Sequence, residues 1–373
     1  MKGVSQLEYG LRESILKLHK SSYAKENNVI EELSHFTDCS SGINPYGFSN
    51  EVKKALENCP LEIINLYPES GVRLKEAIAE YWRDYADLKN DNILFGSGSI
   101  DIIYKINKLF MDSSSKVLGY SPQFSDYIDD IKSYDGIYDY YLMSAEDNHK
   151  FNLKLFLARM NKKYKLIYID NPNNPTGQVI PIASIEEIIR KAQSLGICVV
   201  IDEAYGDFMD NCNSAISLIN RYDNIFILRT FSKGFGLAGI RGGYLITSDL
   251  LANHFSKVSN PYSMNGVAEH LAVAALKDTQ FISDSMKKVR EAKIRLIDSL
   301  HKFQVSETDM NVPIMTIKHP DSEVNLEELL RSKNILSVSG EGFIGLDESY
   351  VRLRIHPDIE SVINAFEEIE KSI

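Results

Sequence analysis

The sequence predicts an α/β fold: a mostly parallel sheet with helices on both faces, joined to a smaller α+β lobe. Two observations carry this expectation. Between about residues 50 and 260, short apolar runs rich in β-branched and aromatic residues alternate with amphipathic stretches of helical period. The chain also has 373 residues, more than one ordinary domain of roughly 100–200 needs, so a second lobe has room to form.

In chain order, residues 1–35 are polar and read as an N-terminal helical extension. An irregular segment, DCSSGINPYG, follows at 38–47. Residues 73–88 place Leu74, Ala77, Ile78, Tyr81, Trp82 and Tyr85 at helical spacing, and 100–111 and 184–195 read the same way. The last of these has Ser184 as candidate N-cap and Gly196 just past its end. Residues 92–95, 116–120, 165–170, 197–202 and 224–229 read as buried strands between the helices, the pattern of crossover units. Residues 265–373 begin with helices at 269–277 and 281–303. They continue through strands near 312–318 and 350–356 to a final helix. The expected organisation is therefore the extension 1–35, a large domain 56–264, and a small domain built from 36–55 and 265–373.

Composition removes several classes. Hydrophobic residues at 44% and charged residues at 25% are ordinary globular proportions, so wholesale disorder is out. With 52 Asp+Glu against 41 Lys+Arg, the formal net charge of −11 argues against a phosphate-tracking nucleic-acid binder. The 20 tyrosines accompany no basic stripe and so make no base-stacking platform. No run of about 18 apolar residues predicts a membrane span, and the N-terminus lacks a signal-peptide apolar core. Four cysteines without CxxC spacing suggest a reducing compartment, so a cytoplasmic location is expected. The eight histidines show no HExxH spacing, and no metal site is expected. There is no GxSxG nucleophile elbow.

Four segments, each just after a strand, carry chemistry, and parallel sheets bind ligands at the carboxyl ends of their strands. In ILRTFSKGFGLAGIRGGY (227–244), Lys233 lies among Thr230, Ser232 and glycines that let backbone approach a ligand closely. A desolvated lysine amine forms Schiff bases with aldehydes. Arg241, eight residues on, offers a rigid fork for a phosphate. In VVIDEAY (199–205), Asp202 ends an apolar run. Alone it reads as a turn or cap residue, but beside Lys233 it suits a ring nitrogen that must stay protonated. In DNPNNPTG (170–177), a turn by composition, Asn174 could aim its amide at a phenolate-like oxygen that Tyr205 also reaches. LFGSGS (94–99) is a Gly-rich strand-to-helix turn that suits a phosphate. It lacks the third glycine of a dinucleotide fingerprint, so Ser97, Gly98 and Ser99 fit one phosphate monoester better than a pyrophosphate.

Taken together, GSGS, SPQF, NPNNPTG, IDEAY, TFSKGFGLAGIRGGY and VRLRI, in this order, resemble the fold-type I pyridoxal-phosphate enzymes over about residues 36–373. The resemblance is strongest to the branch of histidinol-phosphate aminotransferase and threonine-phosphate decarboxylase. It implies a seven-stranded sheet and pyridoxal 5'-phosphate as cofactor, held as an aldimine by Lys233, which then shuttles the proton. It implies that Asp202 pairs with the pyridinium nitrogen, that Asn174 and Tyr205 contact the ring hydroxyl, and that Phe124 stacks on the ring. Ser97, Gly98, Ser99, Thr230, Ser232 and Arg241 would surround the phosphate. Tyr67 would reach the phosphate of a neighbouring subunit, which implies a homodimer with shared sites. Asn44 and Arg352 would meet the substrate, Arg352 clamping its carboxylate, with Arg354 on the same strand face as the backup.

The implied reaction is transfer of an amino group between an amino acid and a 2-oxo acid. Two alternatives stay open on the same scaffold: α-decarboxylation of the threonine-phosphate type, and an oxidative or cyclising reaction. CSSGINPYG here is close to the decarboxylase pattern. From another class, a catalytically silent binding module is disfavoured by the joint presence of Lys233, Asp202, Asn174, Tyr205 and Arg241.

Overall fold

The computed structural model of the chain describes residues 10–19, 35–68 and 71–373. Most of the expected N-terminal extension lies outside these residues. Within it, Glu13–Leu16 forms a single helical turn, and Ser14 Oγ donates to the carbonyl of Ser133 at 2.7 Å.

Among the described residues the strands are β1 (Thr37–Asp38), β2 (Ile93–Gly96), β3 (Lys116–Ser121), β4 (Ile137–Leu142), β5 (Leu166–Asp170), β6 (Cys198–Asp202), β7 (Ile225–Thr230), β8 (Gly243–Thr247), β9 (Gln304–Val305), β10 (Ile314–Lys318), β11 (Ile335–Leu336), β12 (Val338–Ser339) and β13 (Tyr350–Arg354). The large sheet runs β2-β8-β7-β6-β5-β3-β4. Only β8 runs antiparallel to its neighbours, so the sheet is seven-stranded and mostly parallel. Because successive side chains alternate, Ile167, Ile169, Val199, Ile201, Ile225 and Ile227 pack into one apolar cluster, and Leu166, Tyr168, Val200, Phe226 and Leu228 into another on the opposite face. Helices cover both faces, which is why these strands read as continuous apolar runs.

The expected helices form at Val72–Trp82, Ser99–Phe110 and Ile182–Leu195. The first ends short of residue 88. In the third, Gly196 takes the left-handed C-cap with φ of 73°, but the N-cap position is Pro181, not Ser184. Proline suits a helix start because its fixed φ is already close to helical. Strands β4 and β8 have no counterpart in the sequence reading. IYDYYL carries an acidic residue and stays part-exposed on a sheet edge, and GYLIT is a short run fused to the glycine-rich motif before it.

The smaller sheet, β12-β13-β10-β9, is antiparallel, and β1 pairs with β11 beside it. Its core holds Cys39, Leu296, Met315, Leu330, Val351 and Phe366. Helix Thr279–Ser299 crosses between the lobes: Ile282 joins the large core, while Val289, Ala292 and Leu296 join the small one. Helix Gly266–Leu276, grouped by sequence with the small lobe, packs its Ala268, Leu271 and Ala275 into the large core beside helices Asn50–Glu57 and Val72–Trp82.

Candidate active site

The parallel strands end together, and their carboxyl ends hold a cavity of about 180 Å³. Its lining includes Gly98, Ser99, Phe124, Asn174, Asp202, Tyr205, Thr230, Ser232, Lys233 and Arg241, drawn from turns far apart in sequence.

Asp202 is the last residue of β6 and 8% exposed. Burial, helped by the negative charge of Asp170, pushes its carboxyl up to about 7. The Ala204 amide, donating at 2.9 Å, and the Lys233 ammonium pull it the other way. Lys233 follows β7 through the turn Phe231–Ser232, and its Nζ lies 5.2 Å from the centre of the Tyr205 ring. Tyr205 donates to the carbonyl of Gly42 at 3.2 Å, and its hydroxyl lies where a Cβ on residue 42 would fall, so this contact requires glycine. Burial raises the Tyr205 phenol, while the Arg352 and Arg354 cations offset part of that rise.

The phosphate-type turn departs in detail from the sequence reading. Gly98 has φ of 81°, a conformation that favours glycine, and a Cβ there would stand 2.8 Å from Nη2 of Arg241. The Arg241 guanidinium thus lies against the turn, held by Nη1 donating to the Ala238 carbonyl at 3.1 Å. Ser97 has both its donors engaged: its amide meets Asp101 Oδ2 at 2.9 Å and its hydroxyl meets the Ser263 carbonyl at 2.9 Å. The remaining backbone at Gly98 and Ser99, with the Thr230 and Ser232 hydroxyls 3.0 Å apart, faces the cavity.

The small-lobe residues Asn44, Arg352 and Arg354 are not part of the cavity lining. Arg352 Nη1 donates to Asn174 Oδ1 at 3.1 Å and its Nη2 to the Ser40 carbonyl at 2.6 Å, so this arginine bridges the lobes at the cavity edge. Asn174, having spent its oxygen on Arg352, keeps its NH₂ as donor. Asn44 donates to the Gly234 carbonyl at 2.8 Å, next to Lys233. Arg354 turns its guanidinium to the carbonyls of Asp38 and Ile355, within the small lobe. Tyr67 is 80% exposed, lies outside the cavity, and stacks on Tyr262 with ring centres 4.8 Å apart.

Three supporting groups escaped the sequence reading because each looks like ordinary strand or turn composition. Asp170, the last residue of β5, is 5% exposed and sits in register beside Asp202. Arg229 on β7 is fully buried, bonds Glu203 at 3.0 Å and Asp207, and lies 5.0 Å over the Trp82 ring. Asp207 in turn packs directly on Gly234. A charge pattern DEAYGD facing TFSKG, with an arginine on the intervening strand, was the available signal. Among the described residues no cluster of three or more His, Cys, Asp or Glu could hold a metal ion, and no helix is long and apolar enough to cross a membrane.

The chain is similar to known proteins over most of its length. A histidinol-phosphate aminotransferase of Methanosphaera stadtmanae is 30% identical over 358 residues, covering 94% of each chain. The crystal structure of the histidinol-phosphate aminotransferase from Clostridium acetobutylicum superposes with a TM-score of 0.79 at 26% identity, over 90% of this chain and 99% of that one. That of Sinorhizobium meliloti in complex with pyridoxal-5'-phosphate shares the fold, with a TM-score of 0.80 at 21% identity over 99% of each. Residues 34–369 match the family Aminotransferase class I and II, and the chain belongs to it.

Proposed function

We propose that the chain transfers an amino group between an amino acid and a 2-oxo acid, with pyridoxal 5'-phosphate as cofactor. The observation that carries the reading is Lys233 and Asp202 lining one cavity with a phosphate-type turn. The residues present fit that cofactor: one amine, a carboxylate for a ring nitrogen, two donors for a ring oxygen, an aromatic face, and a glycine turn with an arginine beside it. When bound, the cofactor supplies an aldehyde that reacts with amines and a ring that withdraws electrons from the substrate's Cα.

The chain's own residues do the rest. Lys233 would supply the amine that retains the cofactor, and its Nζ, once free, would be the base that takes the substrate's Cα proton. Asp202 holds the proton at the ring nitrogen, since a buried carboxylate stabilises the adjoining cation. Asn174 would direct its N–H donors at the ring oxygen, Tyr205 would join it by turning its one O–H away from the Gly42 carbonyl, and Phe124 would cover a ring face. Gly98, Ser99, Thr230, Ser232 and Arg241 anchor the phosphate, with Ser97 shaping the turn. Arg352 fixes the substrate carboxylate by a planar two-point contact, with Asn44 beside it and Arg354 behind.

We further propose a homodimer and a cytoplasmic location. Leu66, Tyr67 and Tyr262 form an exposed apolar face, Leu66 and Tyr67 lining one hollow and Tyr67 stacking on Tyr262, with Leu61 and Ile64 exposed in the same short segment; such a face suits a subunit interface. Tyr67 on that face would reach a neighbouring subunit's cofactor phosphate. All four cysteines are free thiols, which fits a reducing compartment.

The test is a panel of amino acids, with histidinol phosphate, an amine that has no carboxyl group, added after the relatives' name. Spectra of the bound cofactor are read with and without a 2-oxo acid, alongside CO₂ release and O₂ uptake. Reversible spectral change dependent on both substrates, abolished in Lys233→Ala, is expected. CO₂ release or O₂ uptake in place of oxo-acid formation would overturn the reaction assigned. Retention of activity in Lys233→Ala would overturn the role of that lysine.

A further inference from the structure

We propose that Asp170 is a second buried carboxylate serving the cofactor ring, a positioning residue that acts through Asn174, Phe124 and Asp202. The proposal rests on the assignment of a pyridoxal-phosphate site to this cavity.

Asp170 ends β5 as Asp202 ends β6, and the two are direct register partners across parallel strands. Side chains paired this way point to the same side of the sheet. Both line the cavity. A lone buried carboxylate is costly unless donors surround it, and Asp170 is well supplied. Its Oδ1 accepts from the Tyr120 hydroxyl at 2.6 Å, Gln123 Nε2 at 2.9 Å and Asn173 Nδ2 at 3.1 Å. Its Oδ2 accepts from the Asn174 amide at 3.0 Å and, more weakly, the Phe124 amide at 3.4 Å. The last two are the backbone of the residues assigned to the ring oxygen and the ring face. One carboxylate thus ties SPQF to NPNNPTG and fixes the spacing between the ring's cover and its edge donor.

Its charge acts on the third contact. After burial, the Asp170 carboxylate is the largest influence raising Asp202. Burial raises Asp170 itself, and its ring of donors opposes that rise. The other ionisable groups facing the pair are Lys233, Glu203 and Tyr205 on the Asp202 side, and Tyr120, Tyr127 and Tyr138 on the Asp170 side. Tyr168 lies behind Asp202. The phenols are pushed above their ordinary range by burial and stay neutral at physiological pH. A change in charge at 170 is therefore felt first at Asp202.

The test measures binding of pyridoxamine 5'-phosphate, which cannot bond covalently to Lys233, to apoenzyme by equilibrium dialysis from pH 5 to 9. Wild type, Asp170→Asn, Tyr120→Phe and Asp202→Asn are compared. Asp170→Asn should bind about tenfold more weakly at pH 8, the scale of one lost charge-assisted hydrogen bond. Its acid limb should nevertheless move to lower pH, because Asp202 ionises more readily without a negative neighbour. A merely loosened fold would move that limb the other way, as unfolding sets in earlier. Tyr120→Phe, which removes one donor and leaves the charge, should weaken binding severalfold; it decides the matter if Asp170→Asn fails to fold. Unchanged affinity and an unchanged acid limb in Asp170→Asn, or unchanged affinity in Tyr120→Phe when the first variant cannot be made, overturns the proposal. If wild type itself binds no pyridoxamine phosphate, the cofactor assignment fails instead. If wild type binds and only Asp202→Asn is impaired, the assignment stands and Asp170 alone is refuted.

Discussion

Replacing Arg229 with methionine tests whether the buried charge network behind Lys233 holds the site together. The Arg229 side chain is 1% exposed and faces Glu203 and Asp207, whose side chains are 0% and 1% exposed. Methionine fills similar volume but leaves two carboxylates buried without their cation. Glu203 keeps Ser214 Oγ at 2.6 Å and the Ala215 amide at 2.7 Å, so part of its charge stays solvated by donors. Stripping one partner from a buried ion network costs about 3–5 kcal/mol. Loss of the desolvated cation over Trp82 adds up to ~2 kcal/mol, and removing a buried guanidinium's own desolvation offsets some of this. The expected loss is about 4 kcal/mol at pH 8, a large share of a typical folding free energy of roughly 5–15 kcal/mol.

The sign of the pH dependence follows from linkage. Burial already raises both carboxyls, and Arg229 opposes this. Without the arginine they rise further above their unfolded values, so the folded variant binds more protons than the unfolded one. Its deficit therefore shrinks as pH falls from 8 towards 5. Urea unfolding of apoenzyme at pH 8 and pH 5.5, by circular dichroism, reads both quantities. A loss under about 1 kcal/mol at pH 8, or one equal at both pH values, would falsify the reasoning. Because Asp207 packs on Gly234 beside Lys233, folded variant should also release cofactor faster.

Two other consequences are open to measurement. His149 is buried against Ser306, at 3.1 Å, and its imidazole is depressed to about 4 by burial, with Lys318 adding to the effect. The unfolded ring titrates near 6.5, so the unfolded state binds the extra proton and stability falls as pH drops from about 6.5 to 4. That loss is on the order of 3 kcal/mol; His149→Gln should show a shallower acid transition in thermal melts, and identical slopes would refute this. Arg241 has φ of 55°, a left-handed conformation that asparagine also tolerates, so Arg241→Asn removes the guanidinium without adding backbone strain. It should weaken pyridoxal phosphate about tenfold and leave pyridoxal, which lacks the phosphate, little changed. Equal losses for both would mean Arg241 does not contact the phosphate.

Local pattern made much of this protein legible. Strands buried on both faces must be apolar throughout, so Val199–Ile201 and Ile225–Leu228 announce themselves and their carboxyl ends point to the turns that line the cavity. Lys233, Asp202, Asn174, Tyr205 and Arg241 lie in short motifs that are ordinary one by one and readable as a set. What stayed hidden depends on neighbours distant in the chain. Strand β8 is antiparallel, and only its pairing to β2 and β7 identifies it. Arg229 looks like any strand residue until Glu203, Asp207 and Trp82 close around it.

The sequence by itself determined the layered α/β architecture and singled out the candidate side chains, because both follow from periodicity and chemistry carried within a few residues. Only the tertiary structure decided how those side chains are poised. The approach of Asp170 to Asp202, the span of Arg352 from Asn174 to Ser40, and the withdrawal of Ser97's donors from the cavity are distances set by packing between segments many residues apart. Electrostatic and hydrogen-bonding energies depend on those distances and on burial, and neither is written in the order of residues along the chain.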